Sequence, residues 1–64
     1  MTEAYVIEAA GEAAGVVIRE RGGFRFFASA PRYGAIERRL FRHAADAERA
    51  ARQLRRADYE EVLR

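Results

Sequence analysis

Apolar residues are concentrated in three short runs within the first half of the chain. The runs "AYVIEAA" (4–10), "VVIRE" (16–20) and "FRFFAS" (24–29) are rich in branched and aromatic residues, a composition typical of β-strands. The glycines of "RGG" (21–23) allow the positive φ angles of a tight hairpin between the second and third runs. "GEAAG" (11–15) is predicted as a glycine-bounded connection between the first two runs.

The second half of the chain changes to a helical period. A loop is predicted over 30–37, where a proline and a glycine interrupt the pattern, and "RRLFR" (38–42) predicts a short fourth strand. From Ala44 to about Arg56, apolar residues recur at helical spacing, which predicts an amphipathic helix. The predicted fold class is therefore α+β, an antiparallel meander sheet of three or four strands packed on one C-terminal amphipathic helix.

We expect residues 1–64 to form one small domain, with the core sheet and helix in 1–56. The tail, 57–64, either extends the helix or forms a short extra helix, and a bend near Ala57 is favoured because the tail's apolar residues lie off the earlier stripe. A domain of this size buries only about 60% of its unfolded surface. Its expected stability is therefore on the order of a few kcal/mol, with no disulfide to add to it.

The third strand contains one phenylalanine more than a single face can hold. Side chains alternate between the two faces of a strand, so Phe24 and Phe26 share one face and Phe27 lies on the other. The face with two phenylalanines is predicted to meet the helix, joined by Val16 and Ile18 of the second strand. Since one helix covers one face, Phe27 needs a different cover.

Val17 and Arg19 are the expected neighbours of Phe27. Three alternatives remain for what covers this side chain. The tail folds back over the open face, a second copy of the chain packs there as a homodimer, or a different, unidentified protein partner binds there. The tail residues able to do this are Tyr59, Val62 and Leu63. The sequence thus favours a small protein-interaction or self-association module that uses the free sheet face. The candidate partner-binding face consists of Arg19, Arg25, Phe27 and Arg39.

Charge is segregated along the chain although the formal net charge is only +2. Residues 1–18 hold three acids and no base, whereas 19–56 hold eleven arginines and four acids. Arginines beside exposed aromatic rings on a sheet are typical of proteins that bind single-stranded nucleic acids. Nucleic-acid binding through an arginine-rich sheet face is therefore the alternative function, and ion pairing of the arginines with nearby acids is the structural alternative.

Residues for catalysis and metal binding are scarce. The chain has no cysteine and one histidine, His43, which stands where a helix N-cap is expected. Neither a nucleophile–histidine–acid set nor a phosphate-binding glycine loop is present in the sequence. The prediction is a protein that is not an enzyme, has no cofactor and no metal, does not enter a membrane, and resides in the cytoplasm.

The chain also resembles two known groups of proteins. The segment "AGVVIRE…GGFRFFAS…AIERRLFRHAADAERAAR" (14–52) resembles short uncharacterised proteins of high-GC proteobacteria, which implies a compact stand-alone domain. The sheet followed by an F-x-x-x-x-D-A-E helix is also similar to the arm-site DNA-binding domains of tyrosine recombinases. Those domains are three-stranded sheets backed by one helix, so this resemblance implies DNA binding through the sheet. The chain differs from them in its additional N-terminal strand and acidic C-terminus, and no site residues are carried over.

Overall fold

The computed structural model describes residues 3–63, which form four strands, one 3₁₀ helix and one long α-helix. The elements are β1 (Ala4–Ala9), β2 (Glu12–Glu20), β3 (Gly23–Ala28), the 3₁₀ helix (Pro31–Ile36), β4 (Leu40–Phe41) and α1 (Ala44–Val62). The strands make one antiparallel sheet in the order β1-β2-β3-β4. The predicted α+β meander with one C-terminal helix is confirmed.

The β1–β2 connection is shorter than the sequence pattern indicated. Ala10 and Gly11 form it alone, with φ angles of 53° and 80°, as a two-residue hairpin turn with two positive φ angles requires. The prediction that 11–15 is a connection was wrong, because β2 already begins at Glu12. Small residues in this segment serve packing inside a strand rather than a loop.

A β-bulge interrupts the pairing of β1 with β2. Ile7 is opposite Gly15 and Glu8 is opposite Ala13, so Ala14 is an extra residue in β2. Ala14 is fully buried. The bulge therefore places a small side chain in the core where the helix approaches the sheet.

The register of β2 with β3 decides which side chains meet the helix. Arg21 and Gly22 form the turn, and Val17 is directly opposite Phe26. Directly opposite residues of an antiparallel pair lie on the same face, so Val17 and Phe26, both fully buried, lie beneath α1. The prediction that Val16 does so was wrong, because Val16 is opposite Phe27 on the other face.

The same register moves Ile18 to the other face, where it is opposite Arg25. The expectation that Val17 and Arg19 neighbour Phe27 was wrong for the same reason. The neighbours of Phe27 on its own face are Val16 and Ile18.

The core lies between the sheet, α1 and the 3₁₀ helix. Ala47 and Ala51 are the fully buried residues of α1, so the helix backbone lies close to the sheet. Tyr33 and Ile36 of the 3₁₀ helix close one end of the core. The sequence pattern assigned that segment to a loop and missed both residues, and it predicted a fourth strand of five residues where β4 has two.

The tail continues α1 and does not cover the sheet. The helix is unbroken to Val62, so the predicted bend near Ala57 was wrong. Tyr59, Val62 and Leu63 are 57%, 76% and 67% exposed, which excludes the tail as one of the three covers considered for Phe27. The helix end projects from a molecule that measures 44 × 18 × 17 Å. Within residues 3–63, no helix combines the length and the apolar character that crossing a membrane requires.

A hydrogen-bonded carboxylate joins β2, the 3₁₀ helix and α1. The Tyr33 hydroxyl donates to Glu12 Oε1 at 2.7 Å, and Arg32 Nη1 and Arg55 Nε lie 3.3 and 3.5 Å from the same oxygen. The tyrosine hydrogen bond, supported by the two guanidinium charges, lowers the pKa of the Glu12 carboxyl below its usual value of 4.5. Burial raises the pKa of Tyr33, and its hydrogen bond to Glu12 adds to the increase.

Acid is expected to destabilise the protein partly through Glu12. Because the pKa of Glu12 is lower in the folded state, its contribution is present above the unfolded pKa and is lost as the pH falls through the folded pKa. Glu12→Gln is therefore expected to reduce the loss of thermal stability between about pH 6 and pH 3. Circular dichroism melts check this, with Glu61→Gln on the projecting helix end as the control. An unchanged pH dependence in Glu12→Gln would contradict the expectation.

Candidate protein-interaction face

The face of the sheet turned away from α1 is named the free face. Its first cross-strand row joins Val6, Val16 and Phe27. Its second row runs from Ala4 through Ile18 and Arg25 to Leu40. The apolar residues of the free face are Val6, Val16, Ile18, Phe27 and Leu40. Four of them, Val6, Val16, Ile18 and Phe27, are neighbours within and between these rows on β1, β2 and β3, whereas Arg25 lies between Ile18 and Leu40.

The free face is open to solvent among the described residues. Val6 is 65% exposed, Leu40 39% and Phe27 37%. Val16 and Ile18 are half-buried between their neighbours. Contiguous exposed apolar surface on a small protein marks a site of interaction, whereas single exposed apolar residues are ordinary.

The one arginine in these rows is occupied by an ion pair. Arg25 Nε and Nη2 donate to Glu20 Oε1 at 2.8 and 2.6 Å, and Arg25 Nη1 donates to the carbonyl oxygen of Arg38 at 2.7 Å. The hydrogen bond from Arg25 lowers the pKa of Glu20 and raises that of Arg25. This pair neutralises its own charge and leaves few guanidinium donors for a phosphate.

The four candidate face residues divide between the two faces of the sheet. Arg25 and Phe27 lie on the free face, as expected from their alternation with Phe26. Arg19 and Arg39 lie on the helix side, where their guanidinium carbons stand 5.5 Å from the ring centre of Phe24 and 5.1 Å from that of Phe41. The structure therefore does not assemble the arginine-rich sheet face that the sequence indicated.

The two edges of the sheet differ. Along β3, the Phe26 amide donates to the Arg39 carbonyl oxygen at 3.0 Å, and the Ala28 amide donates to the Glu37 carboxylate at 3.2 Å. The outer edge of β1 has no neighbouring strand among the described residues. Backbone groups on an unpaired edge are available for strand addition. Val6 belongs to this edge strand and to the free face, so the open edge adjoins the free face.

Four apolar residues of the free face were not predicted from the sequence. They are Val6, Val16, Ile18 and Leu40. The feature that could have indicated them is the two-residue turn at Arg21–Gly22, because it fixes the register of β2 with β3 and hence the face on which each residue of β2 lies.

No protein-family model, curated protein or solved structure matches the chain. The two resemblances noted in the sequence stay predictions, as do the cytoplasmic location and the absence of catalysis.

Proposed function

We propose that the protein is a self-association module that forms a homodimer by packing two free faces against each other. The observation that carries the proposal is the continuous apolar surface of the free face, which the tail leaves uncovered. Phe27 is 37% exposed, and covering that part in both copies contributes about 2 kcal/mol. That amount is large against the few kcal/mol expected for a domain of this size.

A second copy suits the free face better than a different protein does. The ion pair between Arg25 and Glu20 is satisfied within the chain and requires no complementary charge from a partner. An apolar sheet face is self-complementary under twofold symmetry, and two such faces pack about 10 Å apart with their side chains interleaved. In the resulting sandwich each sheet is covered on one face by its own α1 and on the other by the sheet of the second copy.

The size of the surface predicts a weak dimer. Three strands at a spacing of about 4.8 Å, each at least about 20 Å long, and the two-residue β4 give a face of roughly 300 Å² per copy. The area buried by the two copies together is below the roughly 1,200 Å² that stable complexes bury. We therefore expect a dissociation constant in the micromolar to millimolar range, which corresponds to a free energy of association of about 4–8 kcal/mol in magnitude.

Sedimentation velocity over about 10 µM to 1 mM protein tests the proposal. The weight-average mass is expected to rise with concentration from 7.3 kDa towards twice that value. The association is expected to be insensitive to salt, because the surface is apolar and its ion pair is internal. A 7.3 kDa species at every concentration would exclude the homodimer and leave a different protein partner.

A further inference from the structure

A second surface lies at the end of the molecule where α1 begins. Six arginines of the described chain contact carboxylates: Arg25, Arg32, Arg49, Arg52, Arg55 and Arg56. The other five arginines among residues 3–63 form no ion pair with a described carboxylate. These five, Arg19, Arg21, Arg38, Arg39 and Arg42, are named the basic end. They flank the β2–β3 turn and β4, which are adjacent in the sheet.

A groove opens at the basic end between β4 and the first half of α1. It has a volume of about 370 Å³, and its lining includes Arg39, Arg42, Asp46 and Arg49. Asp46 is the one acid in the lining, and it already accepts a hydrogen bond from Arg49 at 3.1 Å. Two guanidinium groups are therefore left without a carboxylate. The first turn of α1 adds a partial positive charge beside them.

Aromatic rings lie next to these arginines. Tyr5 and Phe24 pack edge to face with their centres 6.0 Å apart, and Arg19 stands over the Phe24 ring. Tyr5 is 47% exposed and Phe24 is half-buried, so both rings present surface to solvent. Exposed rings beside unpaired guanidinium groups are the combination on which single-stranded nucleic acids stack.

We propose that the basic end binds single-stranded nucleic acid, with phosphates in the β4–α1 groove and bases against Tyr5 and Phe24. Adjacent strands lie about 4.8 Å apart, so the backbones of Arg19 and Phe41, two strands away, are about 10 Å apart. That span is too long for one phosphate and suits a chain of them. The groove shares Leu40 with the free face, but none of its arginines lies in the free-face rows, so this proposal does not depend on the homodimer.

An acidic segment of a second copy is the less favoured occupant. The carboxylates near the end of α1 are partly engaged within the chain, since Asp58 lies 3.9 Å from Arg32 and Glu60 accepts a hydrogen bond from Arg56 at 3.1 Å. Docking them on the basic end would break these contacts. A nucleic-acid strand carries its charge without such an internal partner.

Fluorescence anisotropy with a labelled single-stranded 12-mer tests the proposal on the full chain. Binding is expected at about 50 mM salt, and about three phosphate contacts predict a roughly 20-fold weaker affinity at 200 mM. Arg39→Glu/Arg42→Glu is expected to weaken binding by about 100-fold or more. The control, Arg52→Glu/Arg56→Glu, makes the same charge change on the exposed outer part of α1 and is expected to weaken binding only a few-fold. Circular dichroism checks the fold, and Arg42→Glu alone replaces the double variant if that variant unfolds.

Four results would overturn the inference. These are no binding of the 12-mer at low salt, equal losses in the two double variants, tighter binding of the matched duplex than of the single strand, and full competition by inorganic phosphate at millimolar concentration. If the basic-end variant loses self-association rather than binding of the 12-mer, the surface is a contact between copies. Since Phe27 lies on the other face, failure here leaves the dimer proposal intact.

Discussion

Phe27→Ser is expected to weaken self-association by about 30-fold. The ring is 37% exposed in the single chain, and covering that part in both copies contributes about 2 kcal/mol, which serine does not replace. The loss should appear in sedimentation as a shift to the 7.3 kDa species at concentrations where the unaltered chain is dimeric. Phe27 is not part of the core beneath α1, so the variant is expected to keep the fold.

Tyr59→Ser is the matched control for this substitution. Tyr59 is more exposed than Phe27, at 57%, but it lies on the projecting end of α1 away from the free face. The proposal predicts an unchanged dimer for this variant. Equal effects of the two substitutions, or a larger effect of Tyr59→Ser, would place the contact on the helix end instead.

Gly15→Ala is expected to unfold most of the protein at 25 °C. A Cβ atom at this position would lie 2.3 Å from the Phe27 carbonyl oxygen and 2.7 Å from the Phe26 ring. The first obstacle is backbone of the neighbouring strand, so relief requires β2 and β3 to separate. Overpacking of this kind costs about 3 kcal/mol or more, which approaches the whole expected stability. Urea titration followed by circular dichroism measures the effect.

Gly34→Ala provides the comparison within the same chain. No atom lies within 4 Å of a Cβ built on Gly34, and its φ angle is not positive. The substitution is expected to change the free energy of unfolding by less than about 1 kcal/mol, in the stabilising direction, because alanine restricts the unfolded chain. A similar loss in both variants would show that Gly15 has no special role beneath the Phe26 ring.

The four strands and the α-helix were predictable because their signals are local. Branched and aromatic runs, a glycine turn and a 3.6-residue apolar period each act within about ten residues. The separation of Phe26 from Phe27 also follows from the pleat alone. The assignment of the β2 side chains to the two faces of the sheet was wrong. It depends on the register of β2 with β3, and the register depends on whether the turn holds two residues or three.

Small residues were the second source of error. Gly15 and Ala14 suggest a loop by composition, but Gly15 makes room for the ring of Phe26 and Ala14 occupies a bulge. Tyr33 was assigned to a loop, although its ring is fully buried and its hydroxyl is bonded to Glu12, 21 residues away. Such long-range packing has no periodic signal in the sequence.

Arginine pairing was predictable from the sequence only within the helix. The helical pairs Arg49–Asp46 and Arg52–Glu48 follow from spacing. The pairing of Arg25 with Glu20 depends on the hairpin register instead. The division into paired arginines and a basic end therefore appears only in the fold.

The most direct test of self-association through the free face is an intermolecular nuclear Overhauser measurement on a half-labelled sample. Copies labelled with ¹³C at valine and isoleucine methyl groups are mixed at millimolar concentration with unlabelled copies. Packing of two free faces predicts cross-peaks from the methyl groups of Val6, Val16 and Ile18 to the ring protons of Phe27 in the other copy. Cross-peaks that join copies only through Val62 or Ile36, or a dimer with no cross-peak from these three residues, would contradict it.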